Sequence, residues 1–402
     1  MQFFKSLSVG LLFTLTSVSA GTAASRSVDL SHQPHQHNKI TPKVVIISMF
    51  TPETETWHHI PEFNLLAHNV SIPGLSPLFP VVQCTKSYEI CQVTTGEGEI
   101  NAASTITALT LSPSFNLTNT YFLIAGIGGI SPEVGTTASV TFARFAVQVA
   151  LQYEIDIREL PRNFSTGYIP QGSEVPAVFP GTVYGTEVFE VNDKLKKIAA
   201  GFARNATLAD TDLAKAYRAK YRGSKGGIYD LATSEPTVLE CDTSTSDVYF
   251  SGRLLGEAFA NTTKALTGNQ GVYCTTQQED NATLESLLRG AKAGLVDFSR
   301  IIIMRSASDF DRPYPGQSAT DNLFSEVQGA FEPAIENLYR AGVKIVEGIL
   351  KGWEDVFEGG VDAGNYLGDA LGTLGGKPEF VGGSVVKRGF GGGKRGMRRN
   401  RR

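Results

Sequence analysis

The stretch Arg300-Ile-Ile-Ile-Met-Arg305-Ser-Ala-Ser308-Asp309-Phe-Asp-Arg312 carries the densest chemical information in the chain. A run of apolar, β-forming residues leads into Arg-x-x-Ser-Asp, which puts the Asp309 carboxyl group at the carboxyl end of a buried strand, where open α/β sheets build their sites. Burial disfavours the charged form of a carboxyl group and equips it to give a proton to a leaving group. A second segment, Thr95-Gly96-Glu-Gly98-Glu-Ile-Asn101-Ala-Ala103, stands where a strand gives way to a helix. Its glycines let backbone approach a ligand and the helix N-terminus offers free amides. It lacks the Gly-x-Gly-x-x-Gly spacing and the Lys-Ser/Thr ending of the common nucleotide loops. Ala125-Gly126-Ile-Gly128-Gly129 reads as a further glycine turn after an apolar strand. Gln277-Gln278-Glu279-Asp280-Asn281-Ala282 and Ser246-Asp247-Val-Tyr249-Phe250 add a carboxylate and an aromatic ring.

The elements that must position these residues follow from hydrophobic periodicity. Residues 43–50 form a buried first strand with turn chemistry after it at Thr51-Pro52, and residues 90–94 form another. A helix runs from Gly98 to Leu111, and residues 121–125 make a third buried strand. Segments 138–143 and 145–152 continue as strands, 187–205 and 213–221 show helical spacing, and 237–241 and 301–304 return as strands. Residues 323–357 make one or two amphipathic helices able to cover a sheet. Short apolar runs alternating with helical segments predict an α/β fold: a single-domain mixed twisted sheet flanked by helices in three layers, over residues 41–380, with no internal repeat.

The ends of the chain are of a different character. Lys5, the apolar run 11–20 and the small residues 20–24 read as a signal peptide over 1–24, so export to the medium, cell surface or cell wall is expected. The apolar core is too short for a span, which needs about 20 residues. Segment 121–151 is broken by Gly126, Gly128, Gly129, Pro132 and Gly135, so no transmembrane span is predicted. Residues 25–40, with His32, His35 and His37, make a polar leader, and 381–402 a disordered basic Gly-rich tail. Eight positive charges fall in that tail, so the rest of the chain carries about −12 of an overall −4. An acidic body argues against a nucleic-acid partner. Export turns the four cysteines into a disulfide framework: Cys84–Cys91 across a short polar turn, Cys241–Cys274 between neighbouring elements. No His lies near them, so no metal site is predicted. Six Asn-x-Ser/Thr sequons, at Asn69, Asn116, Asn163, Asn205, Asn261 and Asn281, agree with a glycoprotein; Asn281, beside Glu279, is expected to be buried and unmodified.

Taken in order, the motifs resemble a known series. Met49 and Glu53 after the first strand come first, then Gly96-x-Gly98 with Asn101-Ala-Ala, and Ala125-Gly-Ile-Gly-Gly129 with Val134-Gly135. Ser246-Asp-Val-Tyr249-Phe, Gln278-Glu279-Asp-Asn-Ala282 and Arg305-Ser-Ala-Ser308-Asp309 complete it. Residues 41–380 resemble the fungal purine nucleoside permease family, with a nucleoside phosphorylase or nucleosidase-like fold. The resemblance implies that Glu279 binds ribose hydroxyls, with Gln278 replacing the methionine of Met-Glu-x-x-Ala. It implies that Tyr249 packs on the nucleoside and that Asp309 protonates the purine at N7, within a loop matched by Arg305 and Ser308. Gly126, Gly128 and Gly129 would line the ribose and nucleophile side. Adenosine, guanosine and inosine are the implied ligands, with no metal or organic cofactor. A homo-oligomer is implied by the fold, and a membrane transporter partner by the family name.

The departures from that pattern bear on the reaction. Phosphorylases of the fold hold phosphate with arginines after the first strand and in the strand before the glycine turn. Here no arginine stands between Arg26 and Arg144, and Ile124 occupies the strand position. Each missing charge-assisted hydrogen bond is worth roughly 1.5–3 kcal/mol. Hydrolases of the fold place a Glu after the first strand to activate water, for which Glu53 is the candidate and Glu55 the second choice. The leading expectation is hydrolysis of the N-glycosidic bond of extracellular purine nucleosides. The alternatives are a non-catalytic nucleoside-binding component of uptake, and a phosphorylase with a relocated phosphate site using Arg144 or a neighbouring subunit's arginine.

Overall fold

Residues 39–380 are described by a computed structural model of the chain. The expected signal segment 1–24, nearly all of the expected leader 25–40 and the basic tail 381–402 lie outside the described residues.

The most apolar runs become the centre of a mixed sheet. Val44–Ser48 lies parallel to Ile90–Thr94 on one side and to Tyr121–Ile130 on the other; Ile301–Phe310 is parallel to Tyr121–Ile130 along its whole length. Val140–Ala143 and Tyr273–Gln277 join antiparallel to these two long strands. Side chains alternate between faces, and both faces are covered. Val45, Ile47, Phe122, Ile124, Ile301 and Ile303 pack with Ile106 and Leu109 of helix Glu99–Leu111 and Leu284 and Leu287 of helix Asp280–Lys292. Val44, Ile46, Leu123, Ile302 and Met304 pack with Ala199 of helix Asp193–Ala203 and Leu338, Ile345 and Val346 of helix Phe331–Lys351. Burial on two sides is why these strands read as unbroken apolar runs rather than alternating ones. The result is the three-layer mixed α/β class expected.

Four local expectations are corrected. Ala125–Gly129 is not a turn but the second half of a ten-residue strand, Tyr121–Ile130. Arg305, Ser308 and Asp309 are likewise on a strand, Ile301–Phe310, which shifts register once between Ala307 and Asp309. Thr51-Pro52 opens a short helix, Thr51–Glu55, with Pro at its start, where a missing N–H costs nothing. In segment 187–205 a strand, Val188–Glu190, precedes the helix.

Glycines sit in the long strand because the neighbouring chains come too close for side chains. A Cβ on Gly128 would stand 2.2 Å from the Thr276 carbonyl oxygen, and one on Gly126 would stand 2.5 Å from Arg305 Nη1. Arg305 pairs opposite Gly126 and Asp309 opposite Gly129, so the two glycines make room for the two charged side chains.

Disulfides join Cys84 to Cys91, directly opposite each other in a hairpin, and Cys241 to Cys274. Asn69, Asn116, Asn163, Asn205 and Asn261 are exposed, whereas Asn281 is buried with its amide engaged by Thr245 Oγ1 and the Thr186 carbonyl. Among the described residues no helix is long and apolar enough to cross a membrane.

Because its obstacle is backbone, Gly128→Ala is expected to destabilise the fold by about 1–3 kcal/mol or more. Urea denaturation reads this as a lower midpoint; an unchanged midpoint would mean that the two strands separate freely.

Candidate functional site

The centre of the site is a guanidinium with almost no access to water. Arg305, 2% exposed, donates from Nη1 to the Ile127 carbonyl (3.0 Å) and from Nη2 to Asp280 Oδ1 (2.5 Å) and Glu279 Oε2 (3.3 Å). Glu279 immediately precedes helix Asp280–Lys292, and its Oε1 accepts the Gly98 N–H at 3.0 Å. Gly98 caps helix Glu99–Leu111 with φ +88°, a conformation that favours glycine, so one free helix-terminal amide is spent on orienting Glu279. Glu53 reaches in from the short helix after the first strand. Its two oxygens accept the Met49 N–H (2.7 Å) and the Ile127 N–H (2.6 Å).

Burial sets the protonation of these groups. It pushes the Glu53 carboxyl up to about 8, against the pull of Arg305 and with a further push from Glu279. Burial also raises Glu279, again opposed by Arg305.

Asp309 lies at the far end of the same strand as Arg305. Its Oδ1 accepts from Ser308 Oγ (2.7 Å) and its Oδ2 from the Tyr249 hydroxyl (3.2 Å). Burial raises its carboxyl above the usual range, while both hydroxyl donors pull it back. Ser308 Oγ also meets the Gly128 carbonyl at 3.2 Å, tying the pair to the neighbouring strand.

Glu53, Gly128, Gly129, Tyr249, Gln278, Glu279, Arg305, Ser308 and Asp309 line one cavity of about 730 Å³. Met49, Phe50, Val248, Phe250, Leu323, Val327 and Phe331 add apolar surface to it. Gly96 and Gly126 are not on its wall: Gly96 packs against Asn101, and Gly126 lies behind Met49, Glu53 and Arg305. Glu55, on the exposed side of its helix, is also outside. Arg305 holds site carboxylates in place from within the sheet instead of standing in a loop. Arg144 is engaged elsewhere, with Glu190 at 2.6 Å. The roles of two residues within the quoted motifs were missed from the sequence. Asp280 is fully buried against Arg305, and a Glu-Asp pair gives no sign of which member faces a ligand. Gly98 rather than Gly96 holds Glu279; its place just before the predicted helix was the available signal.

Across the cavity wall Arg305 is the one basic side chain, against Glu53, Glu97, Glu279, Asp309, Asp311, Glu326 and Glu332. Such a wall suits a neutral ligand with hydroxyl donors for the carboxylates and a flat apolar part for the aromatic rings.

Residues 41–362 match the family model of the purine nucleoside permeases, and the chain belongs to that family. It is 47% identical to a purine nucleoside permease of Candida albicans over 84% of this chain and 83% of that one. It is 40% identical to a probable purine nucleoside permease of Schizosaccharomyces pombe, over 88% and 99%. In chain trace it is similar to the 5'-methylthioadenosine/S-adenosylhomocysteine nucleosidase of Helicobacter pylori with butyl-thio-DADMe-Immucillin-A, at 13% identity and TM-score 0.45 over 78% of this chain and 99% of that one. A similar match is native futalosine hydrolase of the same species, at 14% identity and TM-score 0.44 over 77% and 97%.

The raised Glu53 pKa has a thermodynamic consequence. The folded state holds a proton that the unfolded chain releases near 4.5, so the stability this group contributes is full below that pH. It is lost as pH rises through about 8. Denaturation midpoints measured from pH 4.5 to 8.5 are expected to fall less steeply in Glu53→Gln than in the parent protein; equal slopes would show that Glu53 does not titrate in this window.

Proposed function

We propose that this protein binds purine nucleosides in the cavity between Glu53, Glu279 and Asp309 and hydrolyses their N-glycosidic bond. The observation that carries the reading is that the cavity's one arginine is already committed to Glu279 and Asp280. With that cation neutralised and acidic side chains around it, the wall is poorly suited to hold phosphate as a co-substrate. It retains a carboxyl group at each end for acid and base chemistry.

In the reaction we infer, Glu279 accepts hydrogen bonds from the ribose hydroxyls. Asp309 gives its proton to the purine N7 as the bond between the anomeric carbon and N9 breaks and the sugar takes on oxocarbenium character. Water adds to the anomeric carbon and gives its proton to Glu53; solvent then takes that proton from Glu53 and returns one to Asp309. A base whose pKa lies near the working pH is the effective kind, and burial has moved Glu53 into that range. Gln278 and Tyr249 would contact sugar and base. We place the activity outside the cell, on the export signal read from residues 1–24 and the five exposed sequons.

The second reading is a nucleoside-binding component of uptake that delivers its ligand uncleaved to a membrane partner. It is favoured by the name its fungal relatives carry.

Purified protein incubated with adenosine, guanosine or inosine, with and without phosphate, separates the readings. Release of free base without phosphate is the expected result. Strict dependence on phosphate would replace hydrolysis with phosphorolysis, and saturable binding with no base released would leave the uptake role. Asp309→Asn is expected to lower turnover by about two to four powers of ten; undiminished turnover would remove Asp309 from the mechanism.

A further inference from the structure

We propose that Tyr249 is a displaceable latch on Asp309: its phenol O–H occupies the edge of the carboxyl group that a purine base must reach, and the base binds by taking its place. The proposal rests on the reading of the cavity as a purine nucleoside site, and it goes beyond a packing role for the ring.

The two oxygens of Asp309 are held in different ways. Oδ1 receives the Ser308 hydroxyl, which also meets the Gly128 carbonyl and is therefore fixed to the sheet. Oδ2 lies beside Gly129, where a Cβ would stand 3.4 Å away, and its partner is Tyr249 at 3.2 Å. Tyr249 is not built into the body of the protein. It is 61% exposed, and the adjacent Val248 is 56% exposed. Among the described residues its ring joins no buried apolar cluster and no aromatic pair, and its side-chain hydrogen bond is the one to Asp309. The segment carrying it is tied down on either side. Ser246 Oγ bonds the Val248 carbonyl and amide, and the Gly252 N–H bonds the Asp311 carbonyl. Tyr249 thus stands between two anchors, a largely exposed side chain on the cavity wall.

The two partners of Oδ2 compete for one edge of the carboxyl group. An ionised Asp309 accepts the phenol proton; a protonated Asp309 donating to a ring nitrogen needs that same edge. Moving the phenol to solvent costs little at an exposed position, because water replaces its partner, but the lost bond is subtracted from ligand affinity. Such a bond, 3.2 Å long and open to water, is worth about 0.5–1.5 kcal/mol net, or about 2- to 10-fold in binding.

The test compares equilibrium binding of adenine, which is not consumed, by the parent protein, Tyr249→Phe and Ser308→Ala, with initial-rate KM values for adenosine alongside. The expected result is adenine binding about 2- to 10-fold tighter in Tyr249→Phe, with no tightening in Ser308→Ala, whose hydroxyl serves the edge that is not vacated. Unchanged or weaker binding in Tyr249→Phe overturns the latch while leaving the nucleoside site intact. Tightening in both variants also overturns it, since that would reflect easier protonation of Asp309 from either side. A parent protein that binds neither adenine nor adenosine overturns the functional reading itself.

Discussion

The buried Arg305 guanidinium is the constraint on which the site depends. It ties the strand that carries it to the backbone of the neighbouring strand at Ile127 and to the start of helix Asp280–Lys292 through Glu279 and Asp280. Removing a guanidinium from water is costly, and the cost is offset only where its hydrogen bonds are made by fixed partners. Breaking such a pair from one side typically destabilises by about 3–5 kcal/mol, because the remaining charge is left buried without its partner. The arrangement is also over-supplied with negative charge: Glu53, Glu279 and Asp280 surround one cation. Burial is what pushes Glu53 and Glu279 upward; Arg305 pulls both back, and the neighbouring carboxylates add a smaller upward push.

The clamp in turn explains the glycines opposite it. A parallel strand normally presents a side chain at every second position to each face. At Gly126 that side chain would fall on Arg305, Met49 and Glu53, and at Gly129 on Thr276 and Asp309. Omitting it lets two charged side chains fold back over the adjacent strand and brings the Ile127 amide and carbonyl into hydrogen-bond range of Glu53 and Arg305. The strand therefore does the work of a loop: it supplies backbone donors and acceptors to a site while staying in register.

This is also where reading the sequence went furthest and where it stopped. The apolar runs at residues 44–48, 121–125 and 301–304 fixed the layers, since no loop or surface helix sustains such burial on two faces. Asp309 could be singled out because a carboxylate following an apolar strand is out of keeping with its surroundings, and Glu279 through the resemblance of its motif to Met-Glu-x-x-Ala. The glycine segment was misread as a turn because glycine's permissiveness is a local property, whereas the cause here is the neighbour across the sheet. The roles of Asp280 and Gly98 were missed for the same reason. Each acts through a partner distant in the chain: Arg305 is 25 residues from Asp280, and Glu279 is 181 residues from Gly98.

Spending the cavity's arginine internally has a chemical consequence that reaches beyond stability. A site that must hold a dianion needs donors still free to receive it, since charge-assisted hydrogen bonds supply the binding. Here the guanidinium meets a carbonyl and two carboxylates of its own chain, and the other titratable groups on the wall are acidic. Introducing phosphate would place like charges together in a poorly solvated space, where their repulsion is least screened. Water carries no such penalty, and a developing positive charge on a sugar would be met by carboxylates already desolvated and oriented. In the reaction we propose, the same electrostatics that make Arg305 a structural member would favour water over phosphate as the nucleophile.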